Sequence, residues 1–217
     1  MRHVVWDWNG TLLDDQPLVI EGLNAALAAV GQPPIDLATY QRLYTRPVQV
    51  FYERLLGRPI SPGEWETIDA RFHTGYHAAL DRAELTDDAH VALDAVVRGG
   101  DSQSLLSMFP HDQLLPLVER FGLDARFVVV DGLRGDGGGV KAPHLRRHLD
   151  RVAAALSDPA DEVVVIGDAL DDAAAAAQVG VACVLYDGGS HPRGELEQTG
   201  VPVVDSLSAA VLTAVAA

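Results

Sequence analysis

Apolar and polar positions along this chain follow two alternating rhythms. Short, nearly continuous apolar runs occur at residues 3–8, 104–107, 127–130, 163–166 and 182–185, with a weaker one at 201–204. Their length and flanking turn residues predict strands. Between the later runs the spacing becomes helical, as in residues 113–121 and 145–156. Apolar strands alternating with helices predict a parallel sheet covered on both faces. The expected fold class is therefore α/β, a Rossmann-like doubly wound parallel sheet.

From residue 16 to residue 85 this alternation stops. Pro17 can open a helix that Gly31 ends, the usual asymmetry of helix termini. Asp36 is placed to cap a second helix and Pro47 to open a third. Ser61 followed by Glu64 has the spacing of a capping box. No strand pattern lies between them. The chain is thus expected to form an α/β domain from residues 1–15 and 86–217, with an all-α domain, residues 16–85, inserted after the first strand. Thr86 is expected to cap the helix that returns to the sheet.

Composition narrows the class of function. The chain has 217 residues, 48% of them hydrophobic, and a formal net charge of -15. Such acidity disfavours tracking a nucleic-acid backbone, which needs a basic stripe, and docking to anionic membranes. Cys183 is the only cysteine, so a disulfide within the chain is excluded, and its apolar surroundings fit a small core residue. No apolar run approaches the ~20 residues that span a bilayer. Neither nucleic acid nor membrane is an expected partner, and the expected location is the cytoplasm.

In open α/β sheets ligands bind beyond the carboxyl ends of the strands. The first strand delivers Asp7 there, followed by the turn Asn9, Gly10 and Thr11; the second delivers Ser107. The run at 163–166 delivers Gly167 and Asp168, with Asp171 and Asp172 behind them, and Lys141 precedes a helix after a glycine-rich stretch. Carboxylates at the ends of separate strands suit a hard divalent cation. A hydroxyl, an ammonium and turn amides suit an anion beside it. Lys141 is the only lysine; every other basic side chain, histidine aside, is arginine. A compact ammonium at one position in so lysine-poor a chain points to a specific need for a point charge.

These residues carry a resemblance. Asp7-Trp-Asn-Gly-Thr-Leu12, Ser107, Lys141-Ala-Pro143 and Gly167-Asp168-Ala-Leu-Asp-Asp172 resemble, in order, the four motifs of the haloacid dehalogenase-like hydrolase superfamily, within its phosphoglycolate phosphatase/β-phosphoglucomutase-like subfamily. The helical insertion falls where that family places its cap domain. The resemblance implies a magnesium-dependent phosphatase. Asp7 would attack phosphorus and form an aspartyl-phosphate, Ser107 and Lys141 would hold the phosphoryl oxygens, and Asp7, Asn9 (through its backbone carbonyl), Asp168 and Asp172 would hold Mg2+. Gly10, Thr11, Met108 and, from the cap, Arg46 are the candidate substrate-binding residues. The implied partner is a small phosphorylated metabolite, with the chain a monomer or homodimer.

The family's phosphatases commonly carry a second aspartate where this chain has Asn9, and an amide cannot titrate. The general acid–base contribution missing here is worth about 10²–10⁴-fold in rate. Three consequences follow as alternatives: a substrate with a good leaving group, a proton supplied by His73 or His77 of the cap, or impaired turnover with ligand binding retained. A dehalogenase-type attack of Asp7 on carbon is the other enzymatic reading.

Overall fold

The computed structural model describes residues 1–45, 47–135 and 139–216. The strands are β1 (Arg2–Trp6), β2 (Leu13–Asp14), β3 (Glu84–Leu85), β4 (Ser102–Pro110), β5 (Val130–Leu133), β6 (Glu162–Gly167), β7 (Ala182–Tyr186) and β8 (Val203–Val204). The helices are α1 (Gln16–Ala29), α2 (Leu37–Leu43), α3 (Val48–Leu56), α4 (Pro62–Ala79), α5 (Ala89–Arg98), α6 (His111–Arg120), α7 (Ala142–Ala155), α8 (Leu170–Val179), α9 (Arg193–Glu197) and α10 (Leu207–Ala216). None of the described helices is long and apolar enough to cross a membrane.

The chain divides into two compact units. The first comprises residues 1–13, 85–189 and 193–217; the second comprises residues 14–84 and 190–192. In the first unit, six strands form one sheet in the order β5-β4-β1-β6-β7-β8, with parallel pairing throughout. The order reverses at β1, whose neighbours are β4 and β6, so the chain crosses the sheet in opposite directions on either side of it. That switch point opens a crevice at the carboxyl end of β1, where Asp7 stands. Side chains alternate across the sheet. Val5 and Leu106 pack with Ala142, Leu145, Ala173 and Ala176 of α7 and α8. On the opposite face the indole N–H of Trp6 donates to Gln103 Oε1 at 3.0 Å, and Gln103 Nε2 donates to the Leu93 carbonyl of α5 at 3.3 Å. Fully burying a side chain such as Trp6 or Leu105 stabilises the fold by about 2–3 kcal/mol.

The predicted strand at 127–130 begins earlier than β5. The Val128 N–H donates to the Gln103 carbonyl and the Val129 carbonyl accepts from Leu105 N–H, so this run leads into the ladder. The ladder then continues through Asp131 and Gly132, whose composition hides it in the sequence. Thr86 is not the cap of α5. Asp88 occupies that position, and the Thr86 hydroxyl donates to the Thr11 carbonyl at 2.5 Å.

The second unit is built on α1 to α4 around Leu23, Leu27, Tyr40, Phe51, Tyr52 and Ile68. Asp36 caps α2 by accepting from Thr39 N–H, and Pro47 precedes α3. Ser61 accepts from Glu64 N–H at 3.4 Å, but the Glu64 carboxylate pairs with Arg58, so the box is only half formed. The two-residue strands β2 and β3, which the helical pattern did not predict, pair in a separate two-stranded sheet.

Candidate active site

β1 ends at Trp6, and the Asp7 N–H still donates to the Ile166 carbonyl of β6 at 2.9 Å, which holds Asp7 at the sheet's carboxyl edge. A tight turn follows. Leu13 N–H and Thr11 N–H return to the Trp8 carbonyl at 2.8 and 3.2 Å, and Gly10 N–H to the Leu13 carbonyl at 3.0 Å. Gly10 has φ +74°, a left-handed conformation that only glycine adopts without penalty. A Cβ there would also lie 2.5 Å from Asp168 Oδ2, so both backbone and space require glycine.

Asp168 follows β6 directly, and Asp172 lies in the first turn of α8. Asp172 Oδ2 accepts from Ala169 N–H at 3.0 Å, which closes the start of that helix and fixes the carboxylate. Asp7, Asp168 and Asp172 are all buried, and each offers an oxygen within 4.8 Å of the others. The Thr11 hydroxyl, fully buried, donates to Asp168 Oδ1 at 3.3 Å and is thereby committed to the carboxylate.

Lys141 comes in from the N-terminal end of α7. Its buried ammonium donates to Asp7 Oδ1 and, at 2.6 Å, to Asp172 Oδ1. Burial disfavours its charge, but the Asp172 and Asp7 carboxylates outweigh that and hold it above the usual lysine range. For Asp7 burial dominates. It pushes the carboxyl well above its ordinary value, Lys141 offsets only part of this, and Asp172 and Asp168 add to the rise. Ionising all three buried carboxylates against one ammonium would leave an excess of negative charge in a low-dielectric site, which is why Asp7 holds its proton more tightly. A divalent cation with oxygen ligands would correct that excess, and the donor set fits one.

Ser107, at the switch-point side of β4, donates to Asn9 Oδ1 at 3.4 Å and accepts from Phe109 N–H at 2.9 Å. The structure thus brings Asp7, Asn9, Gly10, Thr11, Ser107, Lys141, Asp168 and Asp172 to one end of the first unit. Met108 and Phe109, next to Ser107, are half-buried. Arg46 lies outside the described residues. His73 and His77 share a face of α4 in the second unit, with ring centroids 5.7 Å apart. Cys183 is buried, and burial pushes its thiol up.

One site residue escaped the sequence reading. A Cβ on Gly189 would strike the Asp168 carboxylate, so Gly189 makes room for that carboxylate just as Gly10 does. The signal was present: Gly188-Gly189 follows the end of β7, one of the strand ends where function was sought.

Residues 1–180 match the haloacid dehalogenase-like hydrolase family. The chain belongs to the haloacid dehalogenase-like hydrolases. Phosphoglycolate phosphatase 1 of Pseudomonas aeruginosa is 28% identical over 213 residues, covering 95% of this chain and 77% of that protein. A 5'-nucleotidase of the same species is 25% identical over 195 residues, covering 89% and 86%. Among solved structures, a haloacid dehalogenase-like family protein from Streptococcus pneumoniae superposes with a TM-score of 0.80 at 14% identity, covering 97% of each chain. At that identity the likeness shows the fold alone. Within the haloacid dehalogenase-like fold, the four sequence motifs of this chain are the four segments that meet at the carboxyl edge.

Proposed function

We propose that this chain is a phosphatase of small phosphorylated metabolites, with Asp7 as nucleophile. The observation that carries the reading is the buried Asp7–Asp168–Asp172 cluster with a single ammonium, Lys141, between two of its members. Asp7, Asp168, Asp172 and the Asn9 carbonyl would hold Mg2+, which when bound supplies positive charge to the phosphoryl oxygens. Asp7 attacks phosphorus in line, forming the Asp7 O–P bond as the bond to the leaving oxygen breaks. Lys141 offsets charge on the equatorial oxygens, and Ser107 donates a hydrogen bond to one of them. Water then attacks the aspartyl-phosphate, frees Asp7 and releases inorganic phosphate. Phosphatase names among the relatives support the reaction class, and their different substrates leave the leaving group open.

The Asn9 amide does not titrate, so it cannot protonate the leaving oxygen. The reading therefore favours substrates whose leaving group departs as an anion, such as acyl phosphates. The same observation favours a second reading, a protein that binds a phosphorylated metabolite and hydrolyses it slowly. Phosphate release from acetyl phosphate, p-nitrophenyl phosphate, phosphoglycolate and a nucleoside monophosphate, with and without EDTA, separates the two. Turnover that needs Mg2+ and disappears in Asp7→Asn supports the phosphatase. No release from any substrate, with phosphate still bound in the presence of Mg2+, supports the binding protein.

A further inference from the structure

The sheet face covered by α7 carries a line of polar groups where an apolar layer is the rule. His3 on β1 and Ser104 on β4 are 0% exposed, and His148 on α7 is 1% exposed. Ser102 Oγ lies 2.7 Å from His3 Nδ1, and His3 Nε2 lies 2.7 Å from Ser104 Oγ. The same Ser104 oxygen lies 2.7 Å from His148 Nε2, and His148 Nδ1 lies 2.8 Å from Asp131 Oδ2 on β5. Arg151, further along α7, donates to the other Asp131 oxygen.

With both rings neutral, counting protons leaves one consistent arrangement. The Asp131 carboxylate, paired with Arg151, only accepts, so His148 carries its proton on Nδ1. His148 Nε2 must then accept, and it takes the Ser104 hydroxyl proton. A hydroxyl has one proton, so Ser104 in turn accepts from His3 Nε2–H. His3 Nδ1 accepts from the Ser102 hydroxyl. Every member is satisfied, and all the bonds run one way, from β1 and β4 to α7 and β5. An extra proton fits on the line only if its hydroxyls reverse and Ser102 turns from His3 to the Arg2 carbonyl, 3.5 Å away. Burial first, then His148, lowers His3 to about 4; burial first, then Lys141, lowers His148 to about 4.

The line matters to the site because of where it ends. Lys141 stands at the N-cap of α7, seven residues before His148 on the same helix. The other buried residues of α7 are Ala142, Leu145 and Val152, and apolar contacts constrain sliding and rotation less sharply than directional hydrogen bonds. We propose that His148, held between Ser104 and Asp131, is a positioning residue for Lys141: it fixes the rotation and axial position of α7 and so places the ammonium between Asp7 and Asp172. The consequence for turnover rests on the phosphatase reading of Lys141; the consequence for geometry does not.

Because Lys141 is the only lysine, lysine-selective ¹⁵Nζ labelling gives one ammonium resonance. Ser104→Ala, which removes one oxygen and adds no volume, and His148→Asn are each expected to move that resonance. Each should also lower kcat for phosphate release by about tenfold while KM changes little. Ser102→Ala, at the far end of the line, should leave the resonance and kcat where they are. Ring ¹⁵N spectra of the wild type should show His3 protonated on Nε2 and His148 on Nδ1. An unmoved Lys141 resonance in folded Ser104→Ala and His148→Asn overturns the proposal, as do the opposite tautomers. A wild type with no turnover overturns the phosphatase reading instead, and the lysine and histidine spectra still decide the positioning role.

Discussion

Acidification tests the buried histidines directly. His3 and His148 fall from an ordinary value of 6.5 to about 4 in the folded chain, in each case chiefly through burial. Between those values the unfolded chain binds more protons than the folded one, so stability rises with pH. The stabilisation is fully present above about pH 6.5 and is lost as pH falls towards 4. At pH 5 each ring takes up roughly 0.9 proton on unfolding, a slope of about 1.2 kcal/mol per pH unit. Going from pH 7 to pH 5 then costs about 2 kcal/mol per ring and about 4 kcal/mol for the pair. Carboxylates held low by ion pairs add a slope of the same sign, so the clean quantity is a difference. Urea unfolding, followed by the fluorescence of buried Trp6 and Trp8, should be measured in half-unit steps from pH 7 to pH 5 for the wild type and His3→Gln. The variant replaces the ring with an amide that does not titrate. Its slope near pH 5 should be shallower by about 1.2 kcal/mol per pH unit. Coincident slopes would refute both the neutral ring and the proton count along the line.

Further expectations concern the carboxylate cluster. Mg2+ at about 100 times its dissociation constant should stabilise the protein by about 2.7 kcal/mol, raising Tm by roughly 5–10 °C for a chain of this size. Differential scanning fluorimetry should show the shift vanish in Asp168→Asn. Lys141→Met leaves buried Asp7 and Asp172 without their ammonium and should cost about 3–5 kcal/mol in EDTA, read from urea unfolding at neutral pH. A loss below about 1 kcal/mol would mean that the ion pairs contribute little. Gly10→Ala puts a methyl against Asp168 at a positive φ and should cost at least 1–2 kcal/mol. It should also reduce the Mg2+-dependent rise in Tm.

The linear pattern of the chain determined a good deal by itself. Apolar runs of strand length separated by helical spacing specify a parallel α/β sheet, because strands buried on both faces have no polar side to show. Strand ends are readable too, so Asp7 and Asp168 could be placed at one edge from the pattern alone, whereas β4 runs on to Pro110, three residues past the end expected at Ser107. Lys141 stood out because it is the only lysine in the chain. The helical character of residues 16–85 followed from caps and prolines, which act locally.

What depends on contacts distant in sequence was decided by the tertiary structure. Thr86 looked like a cap, but its hydroxyl went to the Thr11 carbonyl, 75 positions away. Gly189 gains its role only because β7 brings it against Asp168, and no local pattern encodes which strand ends lie side by side. The line from His3 through Ser104 to His148 and Asp131 was invisible for the same reason. Four polar residues on four separate elements read as exceptions in a sequence, and they become a satisfied network only when the sheet order β5-β4-β1 sets them within hydrogen-bond reach. Local chemistry specifies which groups are present. Packing decides which of them meet, because burial penalises a polar atom that lacks a partner and so favours arrangements that supply one.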